Sequence, residues 1–309
     1  ELYKQTLDYF MGLQVETEHI NDEIHIQQDI NAFRSSLVYD CIERAMDLVE
    51  GGSVYSADGG PTAGTISAGD SLAALDEIVF NQKLLTMEQV LHAMNTNYED
   101  MDTVPSGPEI RAILVNKAPK FGNDDERADK WVVELEDYIG SSYRYKYRSS
   151  KYGKGPVPCC YSYSQSPVTG NIAFGKSIGA TPDGRKDGQP VNNGISPANG
   201  SEKNGATAAC NSVMKLPSIW FQKGAIFNMR LSKGALDTDE NKEKVIAMIK
   251  VLFENYGQQI QFNVVDNKVF KEAMEHPDEY KDLMVRVSGY SALFTSLSPE
   301  CQMDVISRA

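Results

Sequence analysis

The chain has 309 residues, 41 % of them hydrophobic and 24 % charged, which is ordinary for a globular protein with a substantial core. Its formal net charge of −13 argues against nucleic acid and anionic membrane surfaces as partners, and no apolar run is long enough to span a bilayer. Five cysteines without a Cys-x-x-Cys pair favour reduced, intracellular thiols and show no metal-binding spacing.

The first segment is predicted to form a long helix. Residues 1–31 carry apolar side chains at helical spacing, and a second helix is expected over 35–51, where two glycines would end it. His19, Glu23 and His25 are the potential metal ligands in this part. We expect no metal site, because residues 19 and 23 share a helical face while 25 points elsewhere.

More helix-start signals follow along the chain. Asp70 is expected to be the N-cap of a helix that runs to about Phe80. Thr86 and Gln89 form a capping box for the next helix. A third signal opens a helix over 123–138. The first half of the chain is therefore predicted to be mainly helical.

The second half is predicted to contain loops and short strands. Strands are expected within 157–217, for example at 171–174, and again over 219–231, followed by a helix at 241–256. The segment Thr181-Pro-Asp-Gly184 is typical of a tight turn. With Arg185 and Lys186 it also offers donors and positive charge to an anion, and the turn is the preferred interpretation.

A polar strand and a glycine turn complete the pattern. Over 258–265 the amides Gln259, Gln261 and Asn263 lie on one face, which predicts a polar cavity or an interior hydrogen-bond network. Further elements are a helix capped by Asp266, a strand at 284–287, a turn at Gly289 and a last helix opened by 298–300. Alternation of helices and strands predicts an α/β domain.

The turn sequence Arg286-Val-Ser-Gly-Tyr-Ser-Ala292, with Gln302 in the following helix, resembles the C-terminal signature of the glycyl radical enzymes, the pyruvate formate-lyase-like family. Further segments resemble that family in the family's order: 70–74, 117–125, 174–186, 194–197, 203–206 and 261–264. Several ordered motifs over nearly the whole chain are more specific than any one of them.

This resemblance implies that Gly289 is the catalytic residue and stores a radical on its Cα. A glycine suits this role because a Cα radical is delocalised over the adjacent amide nitrogen and carbonyl, which favours a planar Cα without a side chain. Glycine also permits close approach by another protein. The neighbouring residues of the radical loop are Arg286, Val287, Ser288, Tyr290 and Ser291.

The implied fold is α/β: the C-terminal part of a ten-stranded α/β barrel surrounded by helices, with a C-terminal glycyl radical loop. Residues 1–165 are expected to be the mostly helical part of the barrel domain, and 166–309 its strands with the glycyl radical domain.

No cofactor or metal is expected to be bound. The radical is a modification installed by a radical S-adenosylmethionine activating enzyme with an iron–sulfur cluster. We further expect a homodimer in the cytoplasm of an anaerobic bacterium, without nucleic acid or membrane partners.

The family passes the radical to a catalytic cysteine in a Cys-x-Glu or Cys-Cys motif upstream of the glycine. We expect that cysteine to be absent from this chain and supplied by the remainder of the enzyme, and the start at Glu1, inside a predicted helix, agrees with a piece of a longer protein. Cys159-Cys160 is a pair, but it does not stand where the family keeps this loop. Cys41 and Cys210 are interpreted as small core residues.

The reaction class is predicted from the residues around the glycine. Ser291-Ala-Leu-Phe294 and the segment 70–74 resemble the branch that cleaves C–C, C–N or C–O bonds, as lyases, dehydratases and decarboxylases do. Arg286-Val-Ser288 is shared with formate C-acetyltransferase, the pyruvate formate-lyase alternative. Two non-catalytic alternatives are a radical-carrying subunit that completes a partner chain, and a structural domain whose glycine is never activated.

Overall fold

A computed structural model describes residues 1–56, 58–60, 62–151, 161–264 and 266–307. In chain order the helices are α1 Leu2–Gln28, α2 Ala32–Ser36, α3 Cys41–Arg44, α4 Thr65–Ala74, α5 Met87–Asn95, α6 Gly107–Lys117, α7 Glu126–Ser141, α8 Gly170–Lys176, α9 Gly205–Met214, α10 Asp239–Glu254, α11 Asn267–Glu275 and α12 Pro299–Ser307. The strands are β1 Asn228–Arg230, β2 Gln261–Asn263, β3 Met284–Arg286 and β4 Ser291–Leu293. The described part of the chain is mostly helical with few strands, so a regular helix–strand alternation does not occur in it.

The chain divides into two compact units. One unit contains Glu1–Pro61, Glu136–Ser164 and Ile219–Lys223, and the other contains Thr62–Leu135, Gln165–Ser218 and Gly224–Ala309. We describe each unit by itself.

The first unit is organised around α1, whose predicted length is confirmed. Met11 and Val15 form its buried stripe. Tyr143 donates its hydroxyl proton to Gln14 at 2.6 Å, and its ring centroid lies 5.9 Å from that of Tyr161. Aromatic rings contribute large buried areas, so this contact anchors the segment after α7 to α1.

The predicted helix over 35–51 is wrong. Two short helices, α2 and α3, take its place, because Asp40 (φ 80°) and Ala45 (φ 50°) adopt the left-handed conformation and interrupt it. The Asp47 carboxylate accepts a hydrogen bond from the Ser35 hydroxyl at 2.7 Å. That contact joins the two ends of the segment, and a continuous helix would separate them.

In the second unit, α4 runs through Asp70 instead of beginning there. The helix starts at Thr65, after Gly64 at φ 89°, and Asp70 lies fully buried in its middle. Its Oδ1 accepts the backbone N–H of Phe121 at 2.7 Å. The predicted N-cap is therefore wrong: the carboxylate caps a distant backbone group instead of its own helix. Burial raises the pKa of Asp70 to about 7.

The helices that follow α4 show how well helix-start signals in the sequence predict where a helix begins. The capping box of Thr86 and Gln89 at the start of α5 is confirmed, and α7 confirms the helix predicted over 123–138. Helix α6 was not predicted, although Ser106 and Glu109 form a capping box at its start. Two prolines and one glycine around that box, Pro105, Pro108 and Gly107, are residues typical of a turn.

The strand predicted at 171–174 is wrong, since these residues lie in α8. The segment 157–217, where short strands were expected, also contains helix α9. In the region 219–231, where strands were expected as well, the structure forms strand β1. Short apolar runs do not distinguish a buried strand from a buried helix, which explains these errors.

The turn at 181–184 is confirmed by a hydrogen bond from Gly184 N–H to Thr181 O at 2.9 Å. Arg185, considered as part of an anion site, donates through its guanidinium to the backbone carbonyls of Gln189 at 2.6 Å and Ile178 at 3.1 Å. These bonds direct the guanidinium to its own loop, and the side chain is buried. The contacts therefore favour a structural role.

Two small sheets carry the C-terminal region. Strands β1 and β2 pair in parallel, with Asn228 opposite Gln261, and β3 and β4 form an antiparallel hairpin. The hairpin packs on α11 and α12 through a cluster of buried residues. Phe270 and Phe294 stack with centroids 4.8 Å apart, and the rest of the cluster is Ala273, Val285, Val287, Val305 and Ile306.

Candidate functional site

The loop of the β3–β4 hairpin is the candidate site. Arg286 pairs with Ser291, and the Val287 N–H donates to the Tyr290 carbonyl at 2.9 Å, so that Ser288 and Gly289 form a two-residue loop. Gly289 has φ +78°, a left-handed conformation that residues with a Cβ rarely adopt. The glycine predicted to be functional is thus also the residue that closes the hairpin.

The two sides of this loop differ in burial. Val287 and Ser288 are buried, whereas Gly289 is exposed and the Tyr290 side chain is 38 % exposed. A Cβ added to Gly289 would lie 3.0 Å from Ile226 Cδ1, a close contact. In the described chain, the backbone of Gly289 is therefore exposed, and Ile226 lies where a side chain at this position would project.

The amide face of β2 meets this loop. Gln261 Oε1 accepts the Gly289 N–H at 3.3 Å and the Arg286 Nε–H at 3.2 Å. Asn263 Oδ1 accepts the Arg286 N–H, and Gln259 Oε1 accepts a backbone N–H from the segment before β1. The polar network predicted for this strand is confirmed. Its amides bond the β3–β4 hairpin loop as well as the segment before β1.

The network continues away from the loop through further amides. Gln261 Nε2 donates to Asn228 Oδ1, and Asn228 Nδ2 donates to Asn193 Oδ1 at 2.9 Å. The Ser288 hydroxyl donates to the same Asn193 oxygen at 2.9 Å. Asn193 Nδ2 in turn donates to Asn171 Oδ1 at 3.2 Å. Carboxamides are neutral and carry both donor and acceptor, so such a chain can stay satisfied when buried.

Sequence reasoning missed Asn193, Asn228 and Asn171 as members of this network. Asn193 directly precedes the segment 194–197 that resembles the family, which was the available signal. Asn228 lies in a strand region otherwise rich in apolar residues. A polar residue inside such a run indicates a satisfied interior hydrogen bond.

The structure places the predicted loop residues in three environments. Arg286, Ser288 and Gly289 contact the amide network, and Arg286 Nη1 also donates to Ser291 Oγ at 3.0 Å. Val287 packs in the hydrophobic cluster beneath the hairpin. The side chain of Tyr290 lies partly in solvent.

Sequence reasoning also missed a Cys-x-Glu spacing, at Cys41-Ile42-Glu43, which belongs to the first unit. Cys41 is 3 % exposed, and burial raises the pKa of its thiol. This burial agrees with the interpretation of Cys41 as a small core residue. The pair Cys159-Cys160 lies outside the described residues. Cys210 is buried, and burial raises the pKa of its thiol to about 11.

Within the described ranges, no group of three or more His, Cys, Asp or Glu side chains is arranged to hold a metal ion. His19, one of the considered ligands, has its Nε2 2.9 Å from the backbone carbonyl oxygen of Arg148. Across the same part of the chain, none of the helices has both the length and the hydrophobicity to cross a membrane.

Comparison with known proteins agrees with the loop geometry. Residues 1–174 match the family model "Pyruvate formate lyase-like", and residues 191–295 match "Glycine radical". The chain is 36 % identical over 302 residues to the "Probable dehydratase YbiW" of Escherichia coli, covering 97 % of this chain and 36 % of that protein. It is 33 % identical over 312 residues to the trans-4-hydroxy-L-proline dehydratase of Clostridioides difficile, covering 100 % of this chain and 37 % of that protein.

A solved structure shows the same fold. The B12-independent glycerol dehydratase from Clostridium butyricum superposes with a TM-score of 0.90 at 35 % identity, over 99 % of this chain and 37 % of that one. The chain therefore spans little more than a third of the length of the relatives it matches. With two family models and these relatives in agreement, the chain belongs to the glycyl radical enzymes, on their dehydratase and lyase branch.

Proposed function

We propose that this chain is the C-terminal part of a glycyl radical dehydratase or related lyase, and that Gly289 stores its radical. The observation that carries the proposal is the position of Gly289: a positive-φ glycine in a two-residue hairpin loop, inside the segment that matches the glycine radical model. Its N–H is bonded to Gln261, and the residue is exposed in the described chain.

Radical formation at this residue breaks one Cα–H bond. The hydrogen atom goes to a radical generated by the S-adenosylmethionine activating enzyme, and the unpaired electron remains on Cα, shared with the adjacent nitrogen and carbonyl. The positive φ and the missing side chain both favour glycine here. The two-residue turn places the backbone of Gly289 at the tip of the hairpin.

Turnover then requires a thiol. The Gly289 radical takes the hydrogen atom of a catalytic cysteine S–H, which restores the glycine C–H bond and leaves the unpaired electron on sulfur. That sulfur radical removes a hydrogen atom from the substrate and starts the cleavage of a C–O, C–N or C–C bond. The cysteine belongs to the part of the enzyme outside this chain, which also completes the ten-stranded barrel.

Elimination of water is the favoured reaction, because the relatives that match over the full chain are named as dehydratases. Formate C-acetyltransferase is the second candidate, supported by Arg286-Val-Ser288. A radical-carrying subunit for a partner chain is the third. We propose that the enzyme acts as a homodimer in the cytoplasm of an anaerobic bacterium. The expected domain boundary at residue 165 remains a prediction.

The test uses the full-length protein with its activating enzyme under anaerobic conditions. Electron paramagnetic resonance is expected to show a glycine-centred doublet, and exposure to air is expected to cut the chain at Gly289. Gly289→Ala is the control that should lose both effects while the protein stays folded. A protein that activates in no assay and resists cleavage in air would contradict radical storage.

Substrate assays separate the reaction classes. The activated enzyme is incubated either with vicinal diols and hydroxylated amino acids, or with pyruvate and coenzyme A. Loss of water from a member of the first set supports the dehydratase assignment. Formation of formate and acetyl-CoA would replace it with the acetyltransferase. A radical without turnover of either set, restored by a second chain, would support the subunit alternative.

A further inference from the structure

We propose that Gln261 is the positioning residue of the radical glycine: its carboxamide oxygen holds the Gly289 N–H and with it the plane of the radical-bearing Cα. The inference rests on the proposed role of Gly289. It goes further by naming the residue of β2 that fixes the geometry of the radical.

The contacts of Gln261 leave its side chain one orientation. Its Oε1 accepts from Gly289 N at 3.3 Å and from Arg286 Nε at 3.2 Å, and its Nε2 donates to Asn228 Oδ1. A rotated amide would place its NH2 group against two donors and its oxygen against an acceptor. Since Gln261 is 5 % exposed, water cannot easily replace these bonds. The oxygen is therefore held towards the loop.

The loop has a second attachment to the same network. Ser288 Oγ donates to Asn193 Oδ1 at 2.9 Å, and Asn228 Nδ2 donates to that oxygen as well. Gln261 and Asn193 thus bond consecutive loop residues and are joined to each other through Asn228. A hydrogen bond from its N–H to Gln261 Oε1 ties Gly289 to this network, and a Cβ at this position would lie 3.0 Å from Ile226 Cδ1.

The hydrogen bond to Gly289 N matters for the radical itself. Delocalisation from the nitrogen into the Cα orbital leaves the N–H more positive, so a neutral acceptor on that N–H stabilises the radical more than the closed-shell glycine. It also opposes rotation that would take the nitrogen out of the plane. A carboxamide does this without carrying a charge of its own.

The experiment compares Gln261→Leu with the control Gln258→Leu in the full-length enzyme. Gln258 lies three residues away, is exposed on its amide and donates to the Ser218 carbonyl instead of the loop. Each protein is measured before activation by amide hydrogen exchange and after activation by electron–nuclear double resonance with 15N-glycine labelling.

In Gln261→Leu the amides of peptides over 287–291 are expected to exchange about three- to tenfold faster, as for the loss of one buried hydrogen bond. Peptides from α11 should stay within about twofold, which separates loop release from general unfolding. After activation the N–H proton and 15N couplings should change, and the spins per chain should fall. Gln258→Leu should match the wild type in both readouts.

Equal exchange and equal couplings in Gln261→Leu and the wild type would overturn the inference. So would equal changes of both readouts in the Gln261→Leu and Gln258→Leu proteins. If the wild type itself forms no radical, the proposed function fails, whereas the exchange comparison still decides whether Gln261 holds Gly289. The two failures are therefore distinguishable.

Discussion

The side chain of Asn263 satisfies both backbone groups of Arg286. Its Oδ1 accepts the Arg286 N–H at 2.9 Å, and its Nδ2 donates to the Arg286 carbonyl at 2.9 Å. A single carboxamide thus takes the place of a neighbouring strand and joins the β1–β2 sheet to the β3–β4 hairpin. The hairpin edge that carries the radical loop is held by this side chain.

Replacement of Asn263 by alanine should therefore loosen the hairpin. Two part-buried backbone groups lose their partner, and the expected loss in the free energy of unfolding is about 2 kcal/mol. Chemical denaturation measures the loss, and hydrogen exchange at Arg286 locates it. The control is Asn116→Ala in α6, an exposed asparagine bonded to a carbonyl of its own helix, which should change stability by less than about 0.5 kcal/mol. Equal effects of the two variants would contradict the role of Asn263.

Alanine at position 289 should cost stability through two separate effects. A φ of +78° is strained for alanine by about 1–2 kcal/mol, and the new Cβ would lie 3.0 Å from Ile226 Cδ1. Ile226→Val removes that Cδ1 atom. In its background Gly289→Ala should cost less by about 0.5 kcal/mol or more, as measured by a double-mutant cycle from chemical denaturation. Strictly additive costs would show that the contact with Ile226 is not formed.

Substitution of Cys41 tests whether this chain contains the catalytic cysteine that carries the sulfur-centred radical. Because Cys41 is buried as a small core residue, we expect Cys41→Ala to keep the glycyl radical and the turnover rate. A stability loss of about 1 kcal/mol is expected from the smaller side chain. Cys210→Ala is the matched buried control. A Cys41→Ala enzyme with an intact glycyl doublet but no turnover would identify Cys41 as the catalytic cysteine.

Asp70 should make stability depend on pH. Burial raises its pKa to about 7 in the folded state, above the value of about 3.9 for an exposed aspartate. Between these values the folded state binds more protons than the unfolded state, so this residue's contribution falls as pH rises and levels off above about pH 7.

The measurement is the free energy of unfolding of Asp70→Asn relative to the wild type from pH 4.5 to 8. The asparagine still accepts the Phe121 N–H, and its advantage should grow by up to about 1.4 kcal/mol per pH unit and then become constant. Asp282→Asn, at an exposed position, is the control and should show no such trend. A difference that does not vary with pH would mean that the Asp70 pKa is ordinary.

Local pattern predicted much of the C-terminal region correctly. The Asp266 cap of α11, the strand before Gly289 and the start of α12 all follow from residue order. The amides of β2 were recognised as a network because alternate residues of a strand share a face. Caps and periodicities depend on neighbours within a few positions, and for this reason the sequence reveals them.

The sequence by itself thus determined the family and the polar face of β2, and it predicted Gly289 as the functional glycine. Tertiary structure decided the partners: Gln261 bonds a glycine 28 positions away, and Ser288 bonds an asparagine 95 positions away. It also decided that 171–174 is helical and that Asp70 is buried inside α4. Hydrogen bonds between distant segments are set by the packing that brings the segments together, and no local pattern encodes which donor will meet which acceptor.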